Sequence, residues 1–290
     1  MKHQADDPQT AFAESMFRET TMGVPRTMRR MPPPAPKTPW GWAITGVLLG
    51  MLLCVMLFAP ARWLTLAVAR ATTSQIQLIN PQGSLWNGSA QLVLSAGEGS
   101  LARSALPGRF VWRIRPSTEG LRVNVTAACC IQQNWVWTLT PRISGFQLSA
   151  TDTPSMWPMA VLQGLGTPWN TLQLEGALNL KTERLVLQWT SGRWSIQGKA
   201  QLNATDVATS LSQLRPVGSY LLTLTGGETA TLALSTVQGP LLLSGQGQWV
   251  GGRLRFAGEA TAEPQREAAL VNLLNILGRR DGARSIIKVG

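Results

Sequence analysis

Residues 193–203 read Arg193-Trp194-Ser195-Ile196-Gln197-Gly198-Lys199-Ala200-Gln201-Leu202-Asn203. From Trp194 on, apolar or small residues alternate with polar ones. This period of two marks a strand with one face buried and one solvated. Upstream, Leu172, Leu174, Gly176, Leu178 and Leu180 alternate with Thr171, Gln173, Glu175, Ala177 and Asn179. Downstream, Leu254, Phe256, Gly258 and Ala260 alternate with Arg253, Arg255, Ala257 and Glu259. Arg184 and Gly192-Arg193 read as turns between such strands, and Gly226-Gly227 and Gly251-Gly252 as hairpins. The prediction is a mainly β domain with an antiparallel, curved sheet.

A short phrase recurs. Gly88-Ser89-Ala90-Gln91-Leu92 resembles Gly198-Lys199-Ala200-Gln201-Leu202, with weaker copies at Gly245–Trp249 and Gly258–Ala262. A stack of similar hairpins produces this, and so does chance in a chain rich in Gly and Leu; the β reading needs neither. Two helical pieces interrupt. Ser155–Leu165 contains Pro158 and is expected to start near Met156. Arg266–Leu277 carries Leu270, Leu273, Leu274 and Leu277 at i, i+3, i+4, i+7 spacing, preceded by Pro264 and closed by Gly278. Those four leucines form a stripe expected to pack on the sheet.

The N-terminal region is different. Residues 1–40 are polar and rich in breakers. Met31-Pro32-Pro33-Pro34-Ala35-Pro36-Lys37-Thr38-Pro39 excludes helix and sheet, and Ala11–Glu19 is at most a short isolated helix. Gly41–Ala59 then runs 19 residues without a charge. At 1.5 Å per residue such a helix nearly matches a hydrocarbon core of roughly 30 Å. Trp40 and Trp42 flank one end and Trp63 the other, at interfacial positions. A core helix would show a polar face. A cleaved signal peptide would have a shorter apolar run and a site nearer to it than Ala67-Val68-Ala69. The expected organisation is a disordered tail over 1–40, a transmembrane anchor over 41–59 and a β-rich domain over 60–290. Arg26, Arg29, Arg30 and Lys37 precede the span, while Arg62 and Arg70 follow it. The positive-inside bias puts the N-terminus in the cytoplasm and the domain beyond the membrane.

Composition excludes several chemistries. The chain is 44% hydrophobic and 14% charged, with three Cys and a single His, His3. That rules out a disordered chain, a disulfide scaffold and a His cluster. No close pair of acids in an apolar setting offers an acid/base dyad, and no G-x-S-x-G is present. Gly97-Glu98-Gly99-Ser100 lacks the Gly-Lys-Ser/Thr ending of a phosphate loop. No catalytic, cofactor or metal site is predicted, and the reading is of a protein that is not an enzyme. After residue 40 the chain holds 20 basic and 11 acidic residues, a surplus that suits anionic lipid or an acidic partner. The basic residues read as scattered, and no nucleic-acid partner is expected.

Cys54 falls inside the apolar run. Cys129 and Cys130 are adjacent, and neighbouring Cα atoms lie about 3.8 Å apart, below the usual range for a bridge. A vicinal disulfide, two inert thiols and intermolecular pairing all remain open. The turn-forming context of Ala127–Gln133 favours the vicinal bridge.

Three stretches together resemble protein N of the bacterial type II secretion system. They are the anchor with Phe58-Ala59-Pro60-Ala61-Arg62-Trp63-Leu64; the phrase around Gly83, Leu85, Trp86 and Gly88; and Leu273–Arg280 followed by Ser285–Val289 as a last strand. The long tail before the anchor departs from that layout. The resemblance implies a single-pass inner-membrane protein with a periplasmic β-domain, acting as a non-catalytic accessory between the inner-membrane platform and the outer-membrane secretin. It carries over no catalytic residue. The implied fold is similar to AsmA-like envelope proteins, whose curved sheets form apolar grooves, so lipid binding or transport is the rival expectation. Burial of Leu172, Leu174, Leu178, Trp194 and Ile196 would mark a solid scaffold, and an open apolar trough would favour lipid.

Overall fold

The computed structural model describes residues 40–290. The expected polar tail, with its Ala11–Glu19 segment, lies outside the described residues except for Trp40. Helix α1 spans Trp40–Leu57 and has no buried residue. Among the described residues it is the one helix long and apolar enough to cross a membrane. By its contacts the chain divides inside α1, and Leu52–Gly290 forms one compact unit. Pro60 ends the helical run, because the residue before a proline avoids helical backbone and proline itself donates no hydrogen bond. A second helix, α2 (Arg62–Ala71), follows at once. It was not among the sequence expectations. Its Ala- and Leu-rich run after Pro60 is the signal that could have found it.

Sixteen strands form one antiparallel sheet among the described residues. They are β1 (Ile76–Gly83), β2 (Asn87–Ser95), β3 (Arg103–Ala105), β4 (Phe110–Ser117), β5 (Gly120–Ala127), β6 (Ile131–Arg142), β7 (Gly145–Ala150), β8 (Ser155–Pro158), β9 (Glu175–Thr190), β10 (Arg193–Ala208), β11 (Gly218–Thr225), β12 (Thr231–Gln238), β13 (Leu241–Val250), β14 (Arg253–Ala262), β15 (Arg279–Asp281) and β16 (Arg284–Val289). Neighbours follow chain order, save that β3 adds beside β2, β8 adds beside β9, and β16 separates β14 from β15. A 3₁₀ segment (Met159–Leu165) and a single turn, α3 (Trp169–Leu172), sit between β8 and β9. The last helix, α4 (Glu267–Leu277), sits between β14 and β15.

Three sequence expectations are corrected. The strand expected from Thr171 starts at Glu175. Trp169–Leu172 closes a helical turn on Pro168, and Gln173 adopts a left-handed φ of 44°. Arg184 is not a turn. It sits inside β9 with φ 48°, where Gln197 pairs Val186 but Lys199 pairs Glu183. One extra residue in β9 makes a bulge opposite Gly198. The bulge lets the even-numbered Leu178 and Leu180 share a face with the odd-numbered Leu187 and Trp189, across from Ala204, Leu202, Ile196 and Trp194. Finally, no helix starts near Met156. Ser155–Pro158 is extended and pairs with Leu180–Ala177, and the helical turn begins only at Met159. Trp157 precedes Pro158, which holds it extended.

The recurrent glycines of β13 and β14 have a packing role. Gly245 faces Gly258, and Gly247 faces Phe256. A Cβ on Gly245 would collide with the Phe256 ring, and one on Gly247 or Gly258 would crowd it. The small residues thus form the floor on which an aromatic ring lies.

Candidate functional site

Three arrangements hold the residues singled out by sequence. The first joins the apolar helix to the sheet. Met56 is four residues before Pro60, so its carbonyl lacks the helical N–H that would normally bond it. The Trp86 indole N–H donates to that carbonyl at 2.8 Å. The Leu85 amide donates to the Ala59 carbonyl at 2.8 Å, and the Ala61 amide to the Gly83 carbonyl at 3.2 Å. Trp112, 2% exposed, donates its indole N–H to the Leu85 carbonyl at 3.0 Å. Gly83 takes φ 84°, a left-handed value that glycine adopts at no cost. Gly88 leaves room for Trp112, whose ring a Cβ there would strike. Gly83, Leu85, Trp86 and Gly88 therefore act together. Two glycines shape a turn whose backbone and indole groups satisfy the end of α1. Ala61, Ala90 and Trp112 form a small buried cluster beneath it.

The second arrangement is an apolar cavity of about 1070 Å³ between the sheet and its covering helices. Leu202, Leu222, Leu234 and Leu243 line its sheet side, with Leu273 and Leu277 of α4 opposite. Leu270, Leu273 and Leu274 are all but fully buried, whereas Leu277 is half-buried at the cavity wall. Ser212 donates to the Ala269 carbonyl at 3.3 Å, and the Ser285 hydroxyl donates to the Leu274 carbonyl. These bonds hold both ends of α4 to the domain. The exposed Arg279, Arg280 and Lys288 also border the cavity. Asp281 is beside them, 3.3 Å from Arg284. Leu172, Leu174 and Leu178 are buried, Ile196 is half-buried and Trp194 is 61% exposed. Coverage of the apolar face is thus partial.

Tyr220 closes one wall of the cavity. Its hydroxyl lies 3.1 Å from the Leu241 carbonyl and 3.3 Å from that of Val217. Burial pushes the phenol's pKa well above its ordinary value, because the anion would lose its hydration. The third arrangement is the turn between β5 and β6, where the Cys129 and Cys130 sulfurs lie at bonding distance. Cys130 is buried beside Ile131, and its carbonyl accepts from the Met156 amide at 2.9 Å. Among the described residues no group of three His, Cys, Asp or Glu could hold a metal ion.

Sequence reasoning missed the Trp86–Met56 bond, and it carried an apolar trough only as the rival expectation, without placing the cavity. The first was signalled by Pro60, which announces an unbonded carbonyl four residues earlier. The second depends on where α4 settles, which no local pattern records. A family model described as type II secretion system (T2SS), protein N, matches residues 74–287. No curated protein and no solved structure matches.

Proposed function

The chain belongs to the type II secretion system protein N family, and we propose that it is a single-pass accessory component whose β-domain contacts the inner-membrane platform, the outer-membrane secretin, or both. The observation that carries this reading is the joint between α1 and the sheet. A protein that couples a membrane assembly to a partner beyond the membrane needs its anchor fixed to its domain, and here indole and amide donors fix the last turn of α1. The charge bias around α1 supports a cytoplasmic N-terminus and a periplasmic domain. The family supports an accessory, non-catalytic role. Crosslinking in intact cells followed by affinity capture of the full chain tests the proposal. Platform or secretin subunits should be recovered at levels well above those captured by an unrelated single-pass bait. Recovery of neither, together with unchanged exoprotein release on deletion, would sink it.

The cavity favours a second reading, in which the domain takes up a lipid. Its volume lies just above the usual range for small-molecule sites, its walls are mainly apolar, and Arg279, Arg280 and Lys288 border it beside Asp281. An acyl chain suits the walls and an anionic headgroup suits Arg279, Arg280 and Lys288. Reproducible phospholipid adducts on the protein purified in detergent would support this reading over a pure scaffold.

A further inference from the structure

The antiparallel pairing sorts the loops onto two rims. Gly83 pairs Gly88, Asn87 pairs Arg113, and Ser117 pairs Gly120. Leu121 pairs Leu139, Arg142 pairs Gly145, Gly145 pairs Thr190, and Thr190 pairs Arg193. The tips of the β4–β5, β6–β7 and β9–β10 hairpins therefore lie on the same rim as Gly83–Trp86, the segment bonded to the end of α1.

Over part of its length the α1-side rim carries a surplus of unpaired basic residues. From β4 to β10 the α1-side rim carries Arg113, Arg115, Arg122, Arg142 and Arg193, all exposed, against one acid, Glu119. None of these five arginines forms an ion pair among the described residues. The opposite rim mixes signs: Glu98, Asp152, Glu175, Asp206, Glu263 and Asp281 stand there with Arg103, Arg215, Arg266, Arg280 and Arg284. Between the arginines stand two exposed apolar side chains, Ile143, fully exposed, and Trp194. Trp194 meets Phe146 edge-on at 5.6 Å, and Phe146 stacks on Trp189 at 5.7 Å, so the indole projects from a supported cluster. Arginines around exposed tryptophan and isoleucine are the composition of a surface that meets lipid headgroups.

We infer that this rim rests on the anionic surface of the bilayer that α1 enters, with the arginines against phospholipid phosphates and Ile143 and Trp194 at headgroup depth. The occupant follows from continuity with the anchor joint and from complementary charge. The inference rests on α1 spanning a bilayer and is independent of the secretion role. Contact at several tips restrains the domain's tilt, which a single anchor helix leaves free.

Hydrogen exchange on the full chain in nanodiscs tests it. Co-elution of the chain with nanodiscs tests the span by itself, and a chain that stays outside them overturns the inference with its premise. In phosphatidylglycerol nanodiscs, amides of residues 118–119, 143–144 and 191–192 should exchange severalfold more slowly than in phosphatidylcholine nanodiscs. Gly97–Ser100, on the opposite rim, should exchange alike in both. The variant Arg115→Glu, Arg142→Glu, Arg193→Glu should lose the difference while strand-interior amides keep their protection, which certifies its fold. An incorporated chain whose tips exchange equally in both lipids overturns the inference while leaving the span standing. That result would leave the basic rim for an acidic protein partner.

Discussion

The Trp86 indole N–H reaches the Met56 carbonyl across 30 residues of sequence. It supplies the donor that Pro60 cannot, so the last turn of α1 is completed by the sheet rather than by its own continuation. The end of α1 is thereby tied by hydrogen bonds to the turn between β1 and β2. Trp86→Phe keeps most of the ring contact and removes this one bond. The expected cost is about 1 kcal/mol, localised at the joint. Hydrogen exchange of residues 57–62 should accelerate while the strands of the domain keep their protection. Unchanged exchange at the joint would refute the role given to the indole.

Gly88 makes a sharper test of the same joint. A methyl group there strikes the Trp112 ring and crowds the Ser84 carbonyl at 2.8 Å. Trp112 has little room to yield, because its indole is bonded to the Leu85 carbonyl. Gly88→Ala is expected to destabilise the domain by roughly 1–3 kcal/mol, as overpacking of a tight site does. Chemical unfolding followed by tryptophan fluorescence would measure it. A variant as stable as the parent would show that the close contact can relax.

The cysteine pair gives a chemical prediction. With Cys129 and Cys130 adjacent in the turn between β5 and β6 and Cys54 free, we propose that the pair is oxidised in a disulfide-permissive compartment. Alkylation under denaturing, non-reducing conditions should then label one thiol, and alkylation after reduction should label all three cysteines. Three labelled thiols without reduction would establish two inert thiols, and a dimer on non-reducing gels would establish intermolecular pairing.

Tyr220 predicts a pH dependence. Burial raises its pKa in the folded state above that in the unfolded state. Its contribution is full below about pH 10, where an unfolded tyrosine ionises, and is lost progressively as pH rises toward the folded value. The chain has one tyrosine, so tyrosinate absorbance reads this phenol alone. Titration should show little ionisation in the folded protein where a denatured sample is already ionised. Tyr220→Phe should remove this part of the alkaline loss of stability. Ordinary titration of the folded protein would place the phenol in water rather than between the Val217 and Leu241 carbonyls.

How much of this was legible in the sequence depends on the range of the interaction. Strand alternation is set by neighbours two residues apart, so β10, β14 and the antiparallel class could be read from Trp194–Asn203 and Arg253–Ala260. The stripe of Leu270, Leu273 and Leu274 is equally local. Arg184 was misread because a bulge and a turn both break the alternation, and only the strand across, at Gly198, distinguishes them. Met156 was misread because its partner is Asn179, in another element. The phrase around Trp86 could be seen, but its purpose could not, since Met56 lies on a different element and the missing donor belongs to Pro60. The rim charges looked scattered along the chain and become a patch only once the hairpins are stacked.

The cavity supports a test that separates lipid from scaffold. Leu222 and Leu234 face each other across β11 and β12 and line the sheet side of the cavity. Leu222→Trp adds bulk to that space without removing any of the α4 contacts made by Leu270, Leu273 and Leu274. If the cavity holds an acyl chain, the lipid-bound fraction in native mass spectra should fall severalfold while thermal stability changes little. Leu273→Ala is the contrasting variant. It removes a leucine that is 3% exposed and should cost about 2–5 kcal/mol whether or not lipid binds. A protein with no lipid adduct, in which Leu222→Trp leaves secretion intact, would confine the cavity to a packing gap. Loss of lipid together with loss of secretion in Leu222→Trp, at unchanged stability, would join the two readings. The accessory component would then need an amphiphile in its core to work.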